Sequence, residues 1–451
     1  MNEMNLSQIQ SVYFLGIGGI GMSALARYFM FLGKNVGGYD KTASPLTLEL
    51  EATGMEIHYT DALSEIDAKF LDKASCLVVY TPAVPNDHTE LNYFKNNGFQ
   101  IQKRAAVLGL VTKETFCFAV AGTHGKTTTS SILAHLLKEA HLPMTAFLGG
   151  ISDDFKSNFY YQGSEYSVVE ADEFDRSFLQ LLPNIACITS MDADHLDIYG
   201  TGEALHESFR EFVSKIKENG KLLVRNGLPL EGITYGIEDD SDYCATNVSI
   251  QNGVYVFDVQ TPTVLYKGVR FGKPGRHNLL NALVALAMAL EANVKPDSLF
   301  PALESFQGVQ RRFSYRIKND DFVFIDDYAH HPTEINAVFH AVAEMHPNKK
   351  VLVVFQPHLF SRTKDFADDF AASLSQFETV FLLDIYPARE KPMQGITSEW
   401  LLEKIENPNK KVIQKENLVE EIKKNAPEVL VVMGAGDIGL EVLKIEKAFN
   451  V

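Results

Sequence analysis

Short apolar runs recur along the whole chain, and most are followed by a polar or glycine-rich turn and then by a segment with helical spacing. Apolar runs without alternation are typical of strands that are buried on both faces of a parallel sheet. Strands that alternate with helices predict α/β domains with right-handed crossovers. Residues 254–257, which follow Asn252-Gly253, instead predict one arm of a hairpin. The other predicted strands are residues 12–15, 35–39, 76–80, 116–121, 168–170, 185–189, 322–325, 351–355, 379–383 and 429–433.

The composition is that of an ordinary globular protein. Apolar residues make up 46% and charged residues 22% of the 451 residues, a length that allows about three domains. The net charge of −17 argues against a general nucleic-acid-binding protein, because such a protein gains affinity from a basic surface. The four cysteines are far apart and lie mostly in apolar runs, which indicates small buried side chains in a reducing compartment. We find no apolar run long enough to span a membrane and no signal peptide, so we expect a cytoplasmic protein.

The first segment carries a glycine-rich turn between a strand and a helix. Gly16, Gly18 and Gly21 fit the pattern G-x-G-x-x-G, and Asp40 stands at the end of the next strand. In this pattern a diphosphate lies on the helix N-terminus, where unpaired N–H groups and the helix dipole attract anions. Both NAD and nucleotide sugars contain a diphosphate. The motif is therefore compatible with either ligand, and also with a turn that has only a structural role. The proline-rich loop that begins at Thr81 is expected at the same end of the sheet.

The second segment opens with a phosphate-binding loop. The apolar run 116–121 breaks into Gly122-Thr-His-Gly-Lys-Thr-Thr-Thr129 at the start of a predicted helix. Backbone N–H groups of such a loop cradle phosphates, Lys126 adds a positive charge, and the hydroxyl of Thr127 can bind Mg²⁺. The loop is shorter than G-x-x-x-x-G-K-[ST], because Val120 stands at the position of the first glycine. We interpret it as a site for a nucleoside triphosphate, with a chance glycine turn as the alternative.

Carboxylates and a histidine follow the next two strands of this segment. The residues concerned are Glu170, Asp172 and Glu173 after one strand, and Asp192, Asp194 and His195 after the other. Oxygen-rich groups beside a phosphate loop are what hard cations such as Mg²⁺ require. We therefore expect metal ligands at Glu170 and His195. For Asp172 and Glu173, a solvated acidic turn is the competing interpretation.

Polar residues also begin a later helix and follow strands of the third segment. His277, Asn278 and Asn281 begin an alanine-rich helix and offer hydrogen bonds suited to an adenine edge, with simple helix capping as the alternative. The third segment contains Asp326-Asp-Tyr-Ala-His-His-Pro332 and Gln356-Pro-His-Leu-Phe-Ser-Arg362 in the loops after its strands. Paired histidines suggest zinc, but no third ligand has the spacing of a zinc site.

Together these motifs resemble those of the Mur ligases. They occur in the family's order from about residue 10 to residue 440, and although each is weak evidence, the whole set in register is highly specific. The motifs that carry the resemblance are Leu15-Gly-Ile-Gly-Gly-Ile-Gly-Met-Ser23, Gly122-Thr-His-Gly-Lys-Thr-Thr-Thr129, Glu170-Ala-Asp-Glu173, Asp194-His195, Gly275-Arg-His-Asn278, Asp326-Asp-Tyr-Ala-His-His-Pro-Thr-Glu334 and Gln356-Pro-His358.

The resemblance implies three α/β domains. Residues 1–108 would form a Rossmann-like domain for UDP-N-acetylmuramate, residues 109–312 an ATP-binding domain with a parallel sheet like that of P-loop ATPases, and residues 313–451 a Rossmann-like domain that brings the amino acid. The expected reaction joins L-alanine to the lactyl carboxylate of UDP-N-acetylmuramate through an acyl phosphate, for peptidoglycan synthesis. ATP is the co-substrate, Mg²⁺ the cofactor (Mn²⁺ can substitute), and a monomer or homodimer is expected.

The resemblance also assigns site residues by position. UDP-N-acetylmuramate would be bound by Gly16, Gly18, Gly19, Ile20, Gly21, Met22, Asp40, Thr81 and Arg104. ATP would be bound by Gly122, Thr123, His124, Gly125, Lys126, Thr127, Thr128, His277, Asn278, Asn281, Arg312 and Asp327. The metal would be held by Thr127, Glu170 and His195, and alanine by Tyr328, His330, His358 and Arg362. The residues expected to act in catalysis are Lys126, Glu170, His195, His330 and Arg362.

Two positions depart from the family pattern. Many Mur ligases have a carbamylated lysine fifteen residues after the metal histidine, where this chain has Arg210, so other groups must neutralise charge near the metal. Enzymes that add alanine often have arginine after Gln-Pro-His, where this chain has Leu359. More of the task of holding the alanine carboxylate is therefore expected to fall on Arg362.

Three rival functions are weighed against this one. The recycling ligase that attaches a tripeptide to the same UDP-sugar is the nearest, although its glycine loop diverges from that of this chain. A NAD-dependent dehydrogenase would account for the motif from Gly16 to Asp40, but it would give the phosphate-binding loop no function. A non-catalytic ATP-binding switch would need neither Tyr328 and His330 nor Arg362.

Overall fold

The computed structural model describes residues 6–193, 196–388 and 390–449. The chain divides into two compact units. The first comprises the chain up to Thr246, Val259–Tyr266 and Asn281–Gln307, and the second comprises Asn247–Asp258, Lys267–Leu280 and the chain from Gly308. Within the described ranges, no helix has both the length and the apolar character needed to cross a lipid bilayer. The domain boundaries at residues 108 and 312 stay predictions.

The first sheet is parallel and positions the glycine-rich turn. Its strands are β1 (Ser11–Leu15), β2 (Asn35–Tyr39), β3 (Glu56–His58), β4 (Cys76–Tyr80) and β5 (Gln100–Lys103), and its helices are α1 (Ile20–Phe31), α2 (Pro45–Ala52), α3 (Thr89–Asn96) and α4 (Arg104–Thr112). The strand order is β3-β2-β1-β4-β5, so the direction of progression reverses between β1 and β4. Ligands of such sheets bind outside the carboxyl ends at this reversal. The loops that begin at Gly16 and Thr81 leave the sheet there.

The second sheet contains the phosphate loop. Its strands are β6 (Phe116–Ala121), β7 (Met144–Ser152), β8 (Ser157–Tyr161), β9 (Tyr166–Glu170), β10 (Ile185–Ile188), β11 (Lys221–Arg225), β12 (Ile233–Ile237), β13 (Tyr243–Gln251), β14 (Val254–Gln260) and β15 (Leu265–Phe271). The helices of this part of the chain are α5 (Lys126–Glu139), α6 (Leu196–Tyr199), α7 (Gly202–Val213), α8 (Arg276–Glu291) and α9 (Pro296–Ser305). The strand order is β15-β14-β13-β12-β11-β10-β6-β9-β7-β8, and β6 pairs in parallel with both β9 and β10.

The second sheet is mixed at its edges, so the prediction of a parallel sheet holds only for its middle. β7 and β8 form an antiparallel hairpin at one edge. At the other edge β13 and β14 are joined by Asn252 and Gly253, which have φ angles of 54° and 76° and so form the turn that the hairpin prediction required. The sequence pattern did not predict β7 and β8, because the apolar run of β7 is only three residues long and breaks into two glycines, and β8 has neither an apolar run nor strict alternation.

The third sheet repeats the α/β pattern in the second unit. Its strands are β16 (Ser314–Lys318), β17 (Val323–Asp327), β18 (Val351–Phe355), β19 (Thr379–Leu382), β20 (Lys410–Val412) and β21 (Val429–Met433). Its helices are α10 (Pro332–Met345), α11 (Phe360–Asp365), α12 (Ala367–Leu374), α13 (Ser398–Lys404), α14 (Leu418–Asn425) and α15 (Ile438–Phe449). The order is β16-β17-β21-β18-β19-β20, and only β16 runs antiparallel to its neighbour among the described strands. Separate apolar clusters cover the two faces, which explains the unbroken apolar runs.

The core joins the first sheet to the second. One continuous apolar cluster contains Phe14 and Phe29 from the first sheet and its helix, together with Phe147 and Val169 from the second sheet. These two sheets therefore share one core within the first unit. The four cysteines are buried, as the sequence predicted.

A chain of three polar side chains crosses the other face of the first sheet. The hydroxyl of Tyr13 lies 2.6 Å from Nε2 of His58 and 2.7 Å from Oε2 of Glu90, and Oε1 of Glu90 accepts the N–H of Ala62 at 3.3 Å. Glu90 is fully buried, and burial raises the pKa of its carboxyl to about 7. Burial also lowers the pKa of His58, so its ring is neutral and can accept from Tyr13.

We expect Glu90→Gln to flatten the pH dependence of stability. Because the pKa of Glu90 is raised by folding, the folded protein keeps a proton that the unfolded chain releases. The free energy of unfolding therefore falls as the pH rises from about 4.5 to about 7, by at most about 1.4 kcal/mol per pH unit. Glutamine is neutral and can donate to Tyr13, whose hydroxyl then donates to His58. Urea unfolding should show the two proteins alike near pH 5 and the variant more stable near pH 8; equal slopes for both proteins would contradict this assignment.

Candidate active site

The phosphate loop connects β6 to α5 and depends on two glycines. Gly122 and Gly125 have φ angles of 126° and 86°, which side chains rarely allow. A Cβ on Gly122 would lie 2.2 Å from Oγ1 of Thr189, and a Cβ on Gly125 would lie 2.6 Å from Oδ1 of Asn281. Among the described residues, no side chain caps the N-terminus of α5. The N–H groups of its first turn are therefore available to an anion.

Lys126 is held by a buried carboxylate. Its Nζ donates to the two oxygens of Glu173 at 2.9 and 2.8 Å and to the carbonyl oxygen of Gly122 at 2.7 Å. Glu173 is fully buried, so its interpretation as part of a solvated acidic turn is wrong. Burial alone would lower the pKa of Lys126, but Glu173, Asp172 and Glu170 outweigh burial and raise this pKa above its ordinary value. The amine is therefore cationic at every working pH.

Thr127 and Glu170 meet at the carboxyl end of β9. Oγ1 of Thr127 donates to Oε2 of Glu170 at 2.9 Å. A hydroxyl and a carboxylate beside a phosphate loop are hard oxygen donors and fit Mg²⁺. The third predicted ligand, His195, lies outside the described residues, as does Asp194. Arg210 lies on α7, where its Nη1 pairs with Glu203 and Glu207 at 3.0 and 2.7 Å.

The residues that follow β10 brace the phosphate loop. Oγ of Ser190 lies 2.8 Å from Oγ1 of Thr123 and accepts the N–H of His124 at 2.8 Å. Nε2 of His124 lies 3.3 Å from Oδ2 of Asp192. Thr123 and Thr128 are both buried. The side chains of Thr123 and His124 thus shape the loop, whereas the backbone of the loop is the part suited to phosphate.

The glycine-rich turn of the first sheet brings its predicted partners together. A Cβ on Gly16, whose φ angle is 86°, would lie 2.7 Å from Cγ2 of Thr81. A Cβ on Gly21 would lie 3.0 Å from Nη1 of Arg104. The guanidinium of Arg104 therefore stands against the turn, where it can offset the charge of a diphosphate.

Asp40 stabilises the backbone of this turn. Its Oδ2 accepts the N–H of Gly18 at 2.8 Å and its Oδ1 accepts the N–H of Thr42 at 3.2 Å. In a NAD site the acidic residue at this position binds the ribose hydroxyls, whereas here both oxygens bind backbone N–H groups. The helix that follows begins after Gly19, and no side chain of the described residues caps it. Of the other residues predicted to bind the UDP-sugar, Ile20 is exposed and Met22 is buried.

The four residues predicted to bind the amino acid lie together in the second unit. The ring centroids of Tyr328 and His330 are 5.3 Å apart, and those of His330 and His358 are 6.1 Å apart. Nη1 of Arg362 donates to Nδ1 of His358 at 3.4 Å, and Arg362 is buried. Leu359, between them, has a φ angle of 69° and a ψ angle of 135°, a strained conformation for a branched residue. These residues follow β17 and β18, whose carboxyl ends lie at one edge of the third sheet.

Arg312 and Asp327 support this cluster. The guanidinium of Arg312 lies 5.0 Å from the ring centroid of Tyr328 and 3.8 Å from Glu334. The carboxylate of Asp327 accepts the backbone N–H groups of Phe313 and Ala329, both at 2.7 Å, and burial raises its pKa to about 6. These contacts shape the loop after β17, and a contact of Asp327 with nucleotide stays a prediction.

Asn278 ties the start of α8 to the segment before it. Its Nδ2 donates to the carbonyl oxygen of Pro274 at 2.7 Å, whereas a capping side chain would accept a backbone N–H, so this contact is not the capping role weighed as the alternative. Burial lowers the pKa of His277 to about 4, so this ring is neutral near pH 7 and can take part in hydrogen bonds with a base. His277 and Asn278 belong to the second unit, and Asn281 belongs to the first.

Sequence reasoning missed two residues that the fold places in these sites. A Cβ on Gly149 of β7 would lie 2.0 Å from Oε2 of Glu170, so only glycine leaves room for that carboxylate. The ring of Tyr386 stacks on His358 at 5.7 Å, and its carbonyl accepts the N–H of Leu359 at 2.9 Å. Tyr386 follows β19, and its position after a strand was the one available signal. No pattern in the sequence points to Gly149.

We expect Gly149→Ala to weaken metal-dependent nucleotide binding while the fold is kept. The new methyl group would displace the end of the Glu170 side chain, which is flexible, away from Thr127. Gly149 belongs to the surroundings that orient this ligand, and changes there cost about 10- to 100-fold in metal affinity. Titration of Mg²⁺ at fixed ATP should show this increase, and Gly272→Ala, whose Cβ would meet no atom within 4 Å, is the control. An unchanged Mg²⁺ requirement in Gly149→Ala would place the metal elsewhere.

Comparison with known proteins identifies the family of the chain. Residues 11–115 match the profile described as Mur ligase family, catalytic domain; residues 120–289 match the Mur ligase middle domain; and residues 311–436 match the Mur ligase, glutamate ligase domain. The chain is 60% identical to the UDP-N-acetylmuramate–L-alanine ligase of Flavobacterium psychrophilum, over 99% of this chain and 100% of that protein. It is also 60% identical to the ligase of the same name from Christiangramia forsetii, over 98% of each chain.

Solved structures show the same fold. The UDP-N-acetylmuramate-alanine ligase of Thermotoga maritima has a TM-score of 0.83 at 27% identity, and the match covers 97% of this chain and 99% of that chain. A murein peptide ligase of Psychrobacter arcticus has a TM-score of 0.71 at 24% identity and supports the fold alone. From the profiles and the full-length relatives, we conclude that the chain belongs to the Mur ligase family.

Proposed function

We propose that this chain joins L-alanine to the lactyl carboxylate of UDP-N-acetylmuramate and converts ATP to ADP and phosphate. The observation that carries this proposal is the 60% identity, over nearly the whole chain, with proteins named for that reaction. The site supports it, because a phosphate loop, a diphosphate-type glycine turn and a cationic pocket are all present in one chain. The reaction would supply a precursor of peptidoglycan.

The chemistry explains why ATP is needed. A carboxylate does not acylate an amine, because its oxygen is a very poor leaving group. Transfer of the γ-phosphoryl group of ATP to the carboxylate gives an acyl phosphate, from which phosphate leaves when the amine attacks. All three substrates carry anionic groups, and the first step brings a carboxylate to a phosphate, so the protein contributes mainly charge neutralisation and positioning.

In this mechanism Lys126 neutralises the β- and γ-phosphates. Its pairing with Glu173 keeps the amine charged and directed toward the loop before nucleotide binds. The first N–H groups of α5 bind the same phosphates. Thr127 and Glu170, with His195, would hold Mg²⁺, which would supply positive charge to the transferred phosphoryl group. His277, Asn278, Asn281 and Arg312 are proposed to bind the nucleoside side of ATP.

The UDP-sugar is proposed to bind at the glycine-rich turn. The first N–H groups of α1 face the diphosphate, and Arg104 adds a cation beside Gly21. Asp40 and Thr81 hold the turn in shape from the neighbouring strand ends. We propose that the diphosphate bound here is not that of NAD, because the carboxylate that would bind the ribose of NAD, that of Asp40, already accepts two backbone N–H groups.

Alanine is proposed to bind in the pocket of the second unit. Arg362 would hold its carboxylate, and Tyr328 and His358 would orient it. Nδ1 of His330 lies 2.9 Å from the carbonyl oxygen of Tyr328 and 3.2 Å from Glu334, and these two acceptors favour a proton on Nδ1. Nε2 is then the basic nitrogen. His330 is therefore our choice for the group that removes a proton from the alanine ammonium before the neutral amine attacks.

The proposed function is tested by following phosphate release and product mass with ATP, Mg²⁺ and UDP-N-acetylmuramate. L-alanine should give a product of one added residue, and the tripeptide of cell-wall recycling should give none. We expect Lys126→Ala to lose about 10²- to 10³-fold in kcat per folded molecule, as when one transition-state contact is removed, and to be less stable than wild type because the buried carboxylate of Glu173 loses its cation. Product formed with the tripeptide alone, or normal turnover by folded Lys126→Ala, would refute the proposal.

We expect Arg362→Ala to raise the KM for alanine by about 10- to 150-fold. A hydrogen bond to a charged group contributes roughly 1.5–3 kcal/mol, and Leu359 offers no second cation. Positional isotope exchange within ATP, measured without alanine, should persist because acyl phosphate still forms. Arg316→Ala is the control, since Arg316 pairs with Glu446 elsewhere in the second unit. If Arg362→Ala instead weakens ATP binding with an unchanged alanine KM, Arg362 binds phosphate.

A further inference from the structure

Asn158 forms a buried polar contact between the first two sheets. It lies on β8 and is fully buried. Its Nδ2 donates to the carbonyl oxygen of Ile20 at 2.6 Å and to Oγ of Ser23 at 2.9 Å. Oγ of Ser23, also fully buried, donates to the same carbonyl oxygen at 2.9 Å. A strand of the nucleotide-binding sheet thus grips the first turn of α1, the helix that begins at the glycine-rich turn.

The surroundings of this contact are apolar. The ring centroids of Tyr28 and Phe147 are 5.5 Å apart, those of Phe147 and Phe159 are 5.7 Å apart, and those of Phe31 and Tyr161 are 4.2 Å apart. Apolar packing is tolerant of small shifts, because it has no directional requirement. A buried amide that must meet two acceptors allows one alignment, and misalignment would leave its N–H groups unpaired at a cost. Asn158 therefore fixes the position of α1 relative to the hairpin.

The same hairpin reaches the metal-binding pair. β7 pairs with β8 through Phe147 and Phe159, and it pairs in parallel with β9 through Phe147 and Val169. β9 ends at Glu170, whose carboxylate contacts Gly149 of β7. Two hydrogen-bonded strands therefore connect Glu170 to the first turn of α1. Another contact between the chain segments of the first and second sheets is exposed and joins Nζ of Lys103, on β5, to Asp175, after β9, at 2.8 Å; such surface pairs contribute little.

We propose that Asn158 is a positioning residue for the first chemical step. Through Ile20 and Ser23 it sets the distance between the diphosphate-binding turn and the phosphate loop, so that the carboxylate of the UDP-sugar reaches the γ-phosphate of ATP. The inference rests on the proposed function, because it requires both substrates to react in this unit. In-line attack needs reacting atoms about 3–3.5 Å apart, and a displacement of about 1 Å can cost 10²-fold in rate.

Asn158→Leu is the decisive variant, because leucine is close in shape to asparagine but has no donor. The apolar neighbours should accept it, so that the variant folds. We expect kcat per folded molecule to fall about 10- to 100-fold, with positional isotope exchange in ATP reduced equally. The Kd values of ATP and of UDP-N-acetylmuramate, each measured alone by calorimetry, should stay within about threefold of wild type. A purely structural role would reduce the folded fraction and leave kcat per folded molecule unchanged.

Ser23→Ala should reproduce part of this loss, and the double variant should lose little more than Asn158→Leu alone, since both act through one contact. Asn226→Ala is the matched control, because its amide meets Asp240 at the surface of the same unit, and it should keep full activity. A kcat of Asn158→Leu within threefold of wild type would overturn the inference, as would fully additive effects in the double variant. Failure of wild type to form the alanine product would instead overturn the proposed function, so the two failures are distinct.

Discussion

The candidate active site depends on the parallel pairing of β6 with β9 on one side and with β10 on the other. The register places Val120 opposite Glu170 and Ala121 opposite Ile188, so the three strands end nearly level. Their carboxyl ends therefore deliver the phosphate loop, the carboxylate of Glu170 and the hydroxyl of Thr189 to one place. Polar groups at this edge are possible because the strands behind them are mostly apolar and buried, which holds the backbone in place. A shift of one residue in either pairing would separate these groups.

Each of the two units must provide positive charge at its proposed binding site. The chain has a net charge of −17, yet its proposed substrates are all anions or carry a carboxylate. Individual lysine and arginine side chains therefore supply the positive charge, and neighbouring side chains hold most of them in place. Lys126 lies against Glu173, and Arg362 donates to His358, while Arg312 lies near both Tyr328 and Glu334. A cation that is already oriented loses little conformational freedom when an anion arrives, so binding energy is not spent on ordering the protein.

The hairpin of β7 and β8 contacts residues of both proposed substrate-binding sites in the first unit. Gly149 on one strand gives space to the carboxylate of Glu170, and Asn158 on the other strand grips the first turn of α1. The apolar core that the two sheets share supplies the stability of this arrangement, and the amide of Asn158 supplies its alignment. Stability and alignment thus come from different kinds of interaction. The free energy of apolar burial does not depend on orientation, whereas a hydrogen bond requires a particular geometry.

The sequence by itself determined the α/β class, most of the buried strands and the loops in which anions would bind. It could do so because these features are local: an apolar run, a glycine with left-handed backbone and a helix start lie within a few residues of one another. Only the tertiary structure decided the roles of Glu173, Gly149 and Asn158. Glu173 meets Lys126 across 47 positions of sequence, and Asn158 meets Ile20 across 138, so no local pattern records either contact. From the sequence alone, a carboxylate in a polar turn is compatible with exposure to solvent. Its burial is favourable only when a lysine lies beside it, and only folding brings the two together.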